Sequence, residues 1–203
     1  MAPVLKIVQA GDPVLRRRAR ELGVDELRSP RIQALIEFMR DTMRDAPGVG
    51  LAAPQIGEPI QLVVIEDPPD LHRGLSEEEL EQRGRDVVHF HVLANPELTV
   101  VDPEPLAFFE GCLSVQDRVM IVPRATSVRV KGLDERGEPV DRLASGWYAR
   151  ILQHEIDHLH GMLCIDRMES RSFMSVDEYQ RFWKGKSAAE VHDELAALVA
   201  EKQ

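Results

Sequence analysis

A chain of 203 residues that is 43% hydrophobic and only 5% aromatic can bury one sizeable core, so a single domain is expected. Its 25 basic residues against 35 acidic ones leave a net charge of −10, which disfavours general affinity for nucleic acid or an anionic membrane. No apolar run approaches a membrane span, and two cysteines are too few for a disulfide framework, so each is judged separately as buried, catalytic or metal-bound.

The N-terminus, MAPVLKIVQAGDPVLRRRARE, lacks the apolar stretch and small-residue cleavage site of a secretory signal, and Glu21, Asp25 and Glu26 argue against a transit peptide. A cytoplasmic protein is expected. Arg16, Arg17, Arg18 and Arg20 read as a solvated face. Ser29-Pro30 then supplies an N-cap and first helical residue, followed by Ile32, Leu35, Ile36, Met39 and Met43 at helical intervals. Pro47 and Gly48 end that helix. The segment from Gly48 to Gly57, GVGLAAPQIG, is too small and glycine-rich for a helix or a simple strand, and predicts a loop that lets backbone approach something closely. No Lys-Ser or Lys-Thr follows its glycines, so it is not a phosphate loop. Gln55 is its candidate side-chain donor.

After a strand over residues 61–66, residues 67–86 read as an excursion with a capping box of Ser76 and Glu79. The run VVHFHVLANP alternates, placing His89 and His91 on one face of a strand, which is read as a hydrogen-bonded surface in preference to a metal pair. Residues 98–101 continue as strand, a proline-punctuated turn follows, and then comes FFEGCLSV. Residues 120–122, 126–132 and 140–144 read as further strands, with a turn at Asp134-Glu135-Arg136-Gly137 joining the last two.

Residues 145–161, SGWYARILQHEIDHLHG, carry the chemistry. At about 100° per residue, His154 and His158 lie roughly 40° apart and one turn along a helix, so both imidazoles can reach one metal ion. Glu155 sits beside them, placed to take a proton from water on that ion. Trp147, Ile151, His154 and His158 form one stripe that should face the core, with Ser145 as N-cap and Gly161 as the stop. The motif proposes a metal-assisted hydrolase.

A catalytic ion usually has three protein ligands and an open position. Three routes to the third ligand are open: Glu178 downstream, as in common zinc endopeptidases; Cys164, where a second protease pattern places histidine; or Cys112 from a distant loop. Cys164 lies in an apolar run where cysteine usually acts as a small hydrophobe, whereas Cys112 follows a glycine in a polar-flanked turn. In the C-terminal part, Tyr179, Phe182, Trp183, Val191, Leu195 and Leu198 mark two helical segments broken near Gly185. Such a tail packs on the domain, supports a dimer, or touches the ribosome; packing is the expected role.

The segments GVGLAAPQIG, EGCLSV and QHEIDHLHG, with 57 residues from Gln55 to Cys112 and 42 from Cys112 to His154, together resemble the three signature motifs of peptide deformylase. The resemblance runs from about residue 4 to residue 176. The stretches ASGWYARILQHE and IDRMESRSFMSV are most similar to the branch that includes eukaryotic organellar enzymes. It implies an α+β fold, with mixed or antiparallel sheets around the helix that bears the two histidines. It divides the chain into a catalytic domain over 1–176 and a helical extension over 177–203, in a monomer or homodimer. The implied reaction removes the N-formyl group from the formylmethionine of new polypeptides, with an endopeptidase as the alternative.

The resemblance further implies Cys112, His154 and His158 as metal ligands and Glu155 as general acid/base, with Gln55 and the backbone N–H of Leu113 holding the oxyanion. The implied ion is Fe²⁺, with Zn²⁺, Ni²⁺ or Co²⁺ able to substitute, and an accessible thiolate there invites oxidation of Cys112. Gly48 and Gly50 are expected to make main-chain contacts with the peptide, and Val49, Leu113, Trp147 and Ile151 to form an apolar pocket for methionine. Where the family often has arginine, seven residues after the cysteine, this chain has Val119, with Arg118 one earlier.

Overall fold

A computed structural model describes residues 4–200, with side chains through Leu198; the outermost residues of both expected units, 1–3 and 201–203, lie outside the described residues. A short helix α1 (Val24–Leu27) precedes the long helix α2 (Pro30–Asp45), whose Ser29 cap accepts a hydrogen bond from the Ile32 N–H. The stretch expected to be a loop after α2 is instead a short strand, β1 (Gly50–Ala52), followed by a 3-10 turn over Ala53–Ile56. Its small residues make that possible, because β1 is wholly buried and pairs antiparallel with β2 (Leu62–Asp67). The excursion contains helix α3 (Glu77–Arg83), with Ser76 and Glu79 capping each other reciprocally as expected.

The strands expected between residues 88 and 133 are two long ones, β3 (Val88–Cys112) and β4 (Val115–Leu133). The prolines at 103 and 105 do not turn the chain. They sit where the pairing register shifts, between Val100 and Asp102 and again before Pro105, and such irregularities bend a strand while leaving it paired. β5 (Pro139–Ser145) pairs along β4 as the edge strand of an antiparallel order β1-β2-β3-β4-β5. The turn from β4 to β5 uses Gly137 at φ +77°. Helix α4 (Gly146–Leu159) follows directly. Ser145 occupies the cap position there, but its side chain makes no cap hydrogen bond.

The inner strands are covered on both faces. Val63, Ile65 and Leu93 pack towards Ile151, Leu152 and Ile156 of α4, while the alternate residues Leu62, Val64 and Val92 pack towards Ile32, Ile36 and Met39 of α2. This two-sided burial explains why β2 reads as a continuous apolar run. The observed architecture is α+β, an antiparallel sheet around the histidine-bearing helix, as the motifs imply. Beyond α4, β6 (Met174–Ser175) pairs with β4 at Arg118 and Val119, and the short helix α5 (Val176–Glu178) continues into one π turn over Tyr179–Trp183. Gly185 breaks the tail at φ +85°, and helix α6 (Ala188–Ala200) follows. The tail packs on the domain: Val191 is fully buried and the Tyr179 ring lies 4.7 Å from that of Phe109.

A buried ionic cluster ties α4 to the β3–β4 hairpin. Glu110 of β3 accepts from Arg124 Nε of β4 at 2.8 Å, Arg124 Nη2 at 3.0 Å, and Arg150 Nη1 of α4 at 2.6 Å. Arg124 also donates to Asp157 of α4 at 2.7 Å, and Arg167 forks onto the same carboxylate. Burial alone would raise the Glu110 carboxyl, but hydrogen bonds from His154 and Arg124 hold it well below the usual carboxylate range.

Two tests follow from this packing. Gly161, which ends α4 at φ +75°, has the backbone oxygen of Arg16 only 2.7 Å from where a Cβ would stand, so Gly161→Ala should destabilise the fold by more than about 1 kcal/mol in urea unfolding. Because the folded pKa of Glu110 lies below its unfolded value, its stabilisation is present above about pH 4.3 and disappears as pH falls through the folded value. Glu110→Gln should therefore lower stability by about 3–5 kcal/mol at pH 7 and flatten the acid limb of a stability–pH curve below about pH 4.3.

Candidate active site

Three elements converge at one end of a cavity of about 360 Å³. The hairpin supplies Cys112, which pairs with Val115 across a turn made by Leu113 and Ser114. Helix α4 supplies His154, Glu155 and His158, and the turn after β1 supplies Gln55.

Among the described residues, Cys112, His154 and His158 are the one group of three or more His, Cys, Asp or Glu side chains able to share an ion, with ligand atoms within 4.8 Å of one another. Cys112 Sγ lies 3.4 Å from His158 Nε2. Nitrogen and sulfur ligands on a tetrahedral ion, with bonds of about 2.0 Å and 2.3 Å, are roughly 3.5 Å apart, so the spacing suits one. His154 presents Nδ1 to Glu110 Oε2 at 3.0 Å, which leaves Nε2 for the ion. A carboxylate on the far nitrogen is the usual device for fixing the tautomer and ring plane of a metal-binding histidine. Burial works against the charge on His154, yet Glu110 raises its pKa to about 9. His158 is buried and its pKa is pushed well down by burial and by the neighbouring His154.

Glu155 is 4% exposed, and its Oε2 has no hydrogen-bond partner among the described residues. Burial pushes its pKa up to about 7. Gly50 makes room for it: a Cβ built on Gly50 would fall 2.7 Å from Glu155 Cγ. Gln55 is oriented from behind, since its Oε1 accepts from the Ala52 N–H at 2.9 Å. Its Nε2 is thereby turned to Ser114 Oγ at 3.3 Å and towards Cys112 Sγ at 3.8 Å.

The expected lining residues Gly48, Val49, Gly50, Leu113, Trp147 and Ile151 all border this cavity, as do Gln55, Cys112, His154 and Glu155. Val119 borders it too, so the position noted for its missing arginine contributes an apolar wall, with Arg118 at its side. Phe109, Val115 and Val176 were not anticipated, and Val176 comes from the C-terminal part of the chain. The role of Glu110 was also missed, although it stands two residues before Cys112; asking what holds the second nitrogen of each histidine could have found it. Gln9 was missed as well. Its amide donates to the Leu113 carbonyl at 3.0 Å and accepts from the Gln116 N–H at 3.2 Å, pinning the turn that carries Leu113.

The other candidate groups lie apart. Glu178 is exposed on α5 and outside the three-ligand group, and Cys164 is buried beside Cys112 without joining it. His91 bonds the His89 carbonyl and the Tyr148 hydroxyl, each at 2.9 Å, as expected of a hydrogen-bonded strand face. Arg16 and Arg20 pair with Asp166 and Glu26 on the surface.

The polypeptide deformylase family model matches residues 4–173. A peptide deformylase 3 of Streptomyces avermitilis is 47% identical over 179 residues, covering 88% of this chain and 78% of that protein. The mitochondrial peptide deformylase of Homo sapiens is 42% identical over 174 residues, 86% of this chain and 72% of that one. The chloroplastic peptide deformylase 1A of Solanum lycopersicum is 45% identical over 171 residues; the chain spans 62% of its length, and 64% of its Arabidopsis thaliana counterpart. A crystal structure of the class I type b peptide deformylase of Acinetobacter baumannii, with Met-Ala-Ser bound, superposes with a TM-score of 0.73 at 33% identity, covering 83% of this chain and 100% of that one. With a family model matched over residues 4–173, relatives of this identity and the same fold, the chain belongs to the peptide deformylase family.

Proposed function

We propose that this protein hydrolyses the N-formyl group from the formylmethionine of newly made polypeptides, releasing formate. The observation that carries this reading is the meeting of Cys112, His154 and His158 with Glu155 and the Gln55 amide beside a mainly apolar cavity. The crystallised Acinetobacter relative holds Met-Ala-Ser, a peptide that begins with methionine, which supports the substrate class. One thiolate and two imidazoles suit Fe²⁺, Zn²⁺, Co²⁺ or Ni²⁺ and disfavour Mg²⁺ and Ca²⁺; our assignment for the cell is Fe²⁺, with the others able to substitute. Such an ion supplies Lewis acidity, making the formyl carbonyl electrophilic and water nucleophilic at neutral pH.

The chain's own groups divide the remaining work. Glu155 takes the proton of the attacking water on its unpartnered carboxylate oxygen and returns it to the leaving amine nitrogen. Burial raises the Glu155 carboxyl, which favours its holding the proton between the two transfers. Gln55 Nε2, held by the Ala52 N–H, and the backbone N–H of Leu113 receive the negative charge on the tetrahedral oxygen, where a preorganised donor typically contributes about 3 kcal/mol. Val49, Leu113, Trp147 and Ile151 receive the methionine side chain, and the backbone of Gly48 and Gly50 lines the extended peptide. The substrate partners are thus nascent formylated chains, met in the cytoplasm, where the tail beyond residue 176 offers a surface for transient ribosome contact. We assign residues 1–176 as the catalytic unit and 177–203 as an extension, in a monomer or homodimer. Nothing about the site favours the endopeptidase alternative.

Formate release from formyl-Met-Ala-Ser by anaerobically purified, iron-loaded protein tests the reading. Glu155→Gln should lower kcat by about 10²–10⁴-fold while metal content stays at one ion per chain. No formate, together with internal cleavage of an unblocked protein, would give the site to the endopeptidase. Gly50→Ala should also depress kcat, because the new methyl displaces the Glu155 side chain; unchanged turnover would place the proton transfer elsewhere.

A further inference from the structure

Cys164 is a nucleophile that the hydrolytic site does not use. It is 1% exposed, in a 3-10 turn (Cys164–Asp166) just after α4. It packs in a small core cluster with Val115, Met120 and Val122, and Cys112 rests against that same cluster. The two thiols are close enough for each to perturb the other, Cys164 pushing the Cys112 thiol up and Cys112 pulling the Cys164 thiol down. Their exposures differ in a useful way: Cys112 borders the cavity open to substrate, whereas Cys164 lies behind it, closed off from solvent.

We propose that Cys164 is the resolving partner of Cys112, so that peroxide converts the pair to a disulfide and reversibly dismantles the metal site. The proposal rests on Cys112 being a metal ligand, as argued above. The Cys112 thiolate attacks one oxygen of a hydroperoxide, breaking the O–O bond; sulfur is oxidised to sulfenic acid and the other oxygen leaves as hydroxide. The Cys164 sulfur then attacks the sulfenyl sulfur of Cys112. The S–S bond forms as the S–O bond breaks, and the departing hydroxide takes the Cys164 proton as water. Two thiols lose two electrons and two protons in all, and hydrogen peroxide becomes two waters.

Metal affinity goes with the thiolate, because a disulfide sulfur no longer offers the anionic donor. The disulfide also removes the sulfenic acid before a second peroxide can drive it to the irreversible sulfinic and sulfonic states. A thiol packed in the same core cluster as the ligand needs only a local shift to do this, with no chain movement across solvent. In a reducing compartment such a bond would be transient, as regulatory disulfides are.

Zinc-loaded protein makes the cleanest test, because zinc has no redox chemistry of its own. Peroxide is added in several-fold molar excess over protein, enough for three oxygens per Cys112, zinc release is followed with a chromogenic chelator, and the chain is digested without reduction for mass spectrometry. Wild type should yield a peptide pair linking Cys112 to Cys164, lighter by two hydrogens, and should regain one zinc per chain after dithiothreitol. Cys164→Ser should release zinc as well but carry two or three added oxygens on Cys112, and dithiothreitol should restore none of its zinc binding. Absence of the linked peptide from oxidised wild type overturns the proposal whatever the variant does. A linked peptide with zinc fully retained would instead overturn Cys112 as a ligand.

Discussion

The carboxylate of Glu110 is the constraint on which the site depends. It is buried at the end of the β3–β4 hairpin and takes hydrogen bonds from Arg124 of β4, Arg150 of α4 and His154 of α4. Removing a carboxylate from water is expensive unless it is paired and fully hydrogen-bonded, and here four bonds from three cationic or potentially cationic groups meet that requirement. The same bonds fix the hairpin against the helix. Cys112 arrives from one of those elements and the histidines from the other, so the residue that satisfies the buried charge also sets the spacing of the three ligands.

Around that anchor, local sequence choices serve geometry more than stability. Gly50 lies in a buried strand, where glycine is ordinarily unfavourable, and its value is the space it leaves for Glu155. Gln55 spends its carbonyl on the Ala52 N–H and so presents its amide nitrogen in one direction. Gln9, far away in sequence, does the same for the Leu113 turn. Each of these contacts narrows the freedom of a group that must be correctly placed before substrate arrives, which is what electrostatic preorganisation requires.

The parts of this design legible in sequence are those that local periodicity or motif spacing encode. Helix α2 was readable from Ser29-Pro30 and its apolar stripe, and α4 from the stripe through Trp147, Ile151, His154 and His158. Gly48 to Gly57 reads as a loop because small residues give no alternation, yet burial between β2 and the helices makes residues 50–52 a strand. The prolines at 103 and 105 suggested a turn, but β4 continues to pair on either side of them. Whether such residues bend or end a strand depends on the partner strand, which sequence windows do not contain. Cys112 could be weighed against Cys164 and Glu178 by local surroundings, but its meeting with His158 is a tertiary fact. The Glu110 cluster escaped for the same reason: its members lie on three elements, and no short pattern joins them.

β5 ends the sheet, and its outer backbone groups form the kind of template on which another chain could add a strand. Leu143, 70% exposed on that strand, adds an apolar invitation. The strand is only seven residues long, begins with Pro139, and flanks Leu143 with Arg142 and, one residue further back, Asp141, which is forked by Arg129. Charge and brevity oppose the flat, uninterrupted pairing that fibrils need. The edge is therefore defended against self-association, and Leu143 is the place where that defence is thinnest.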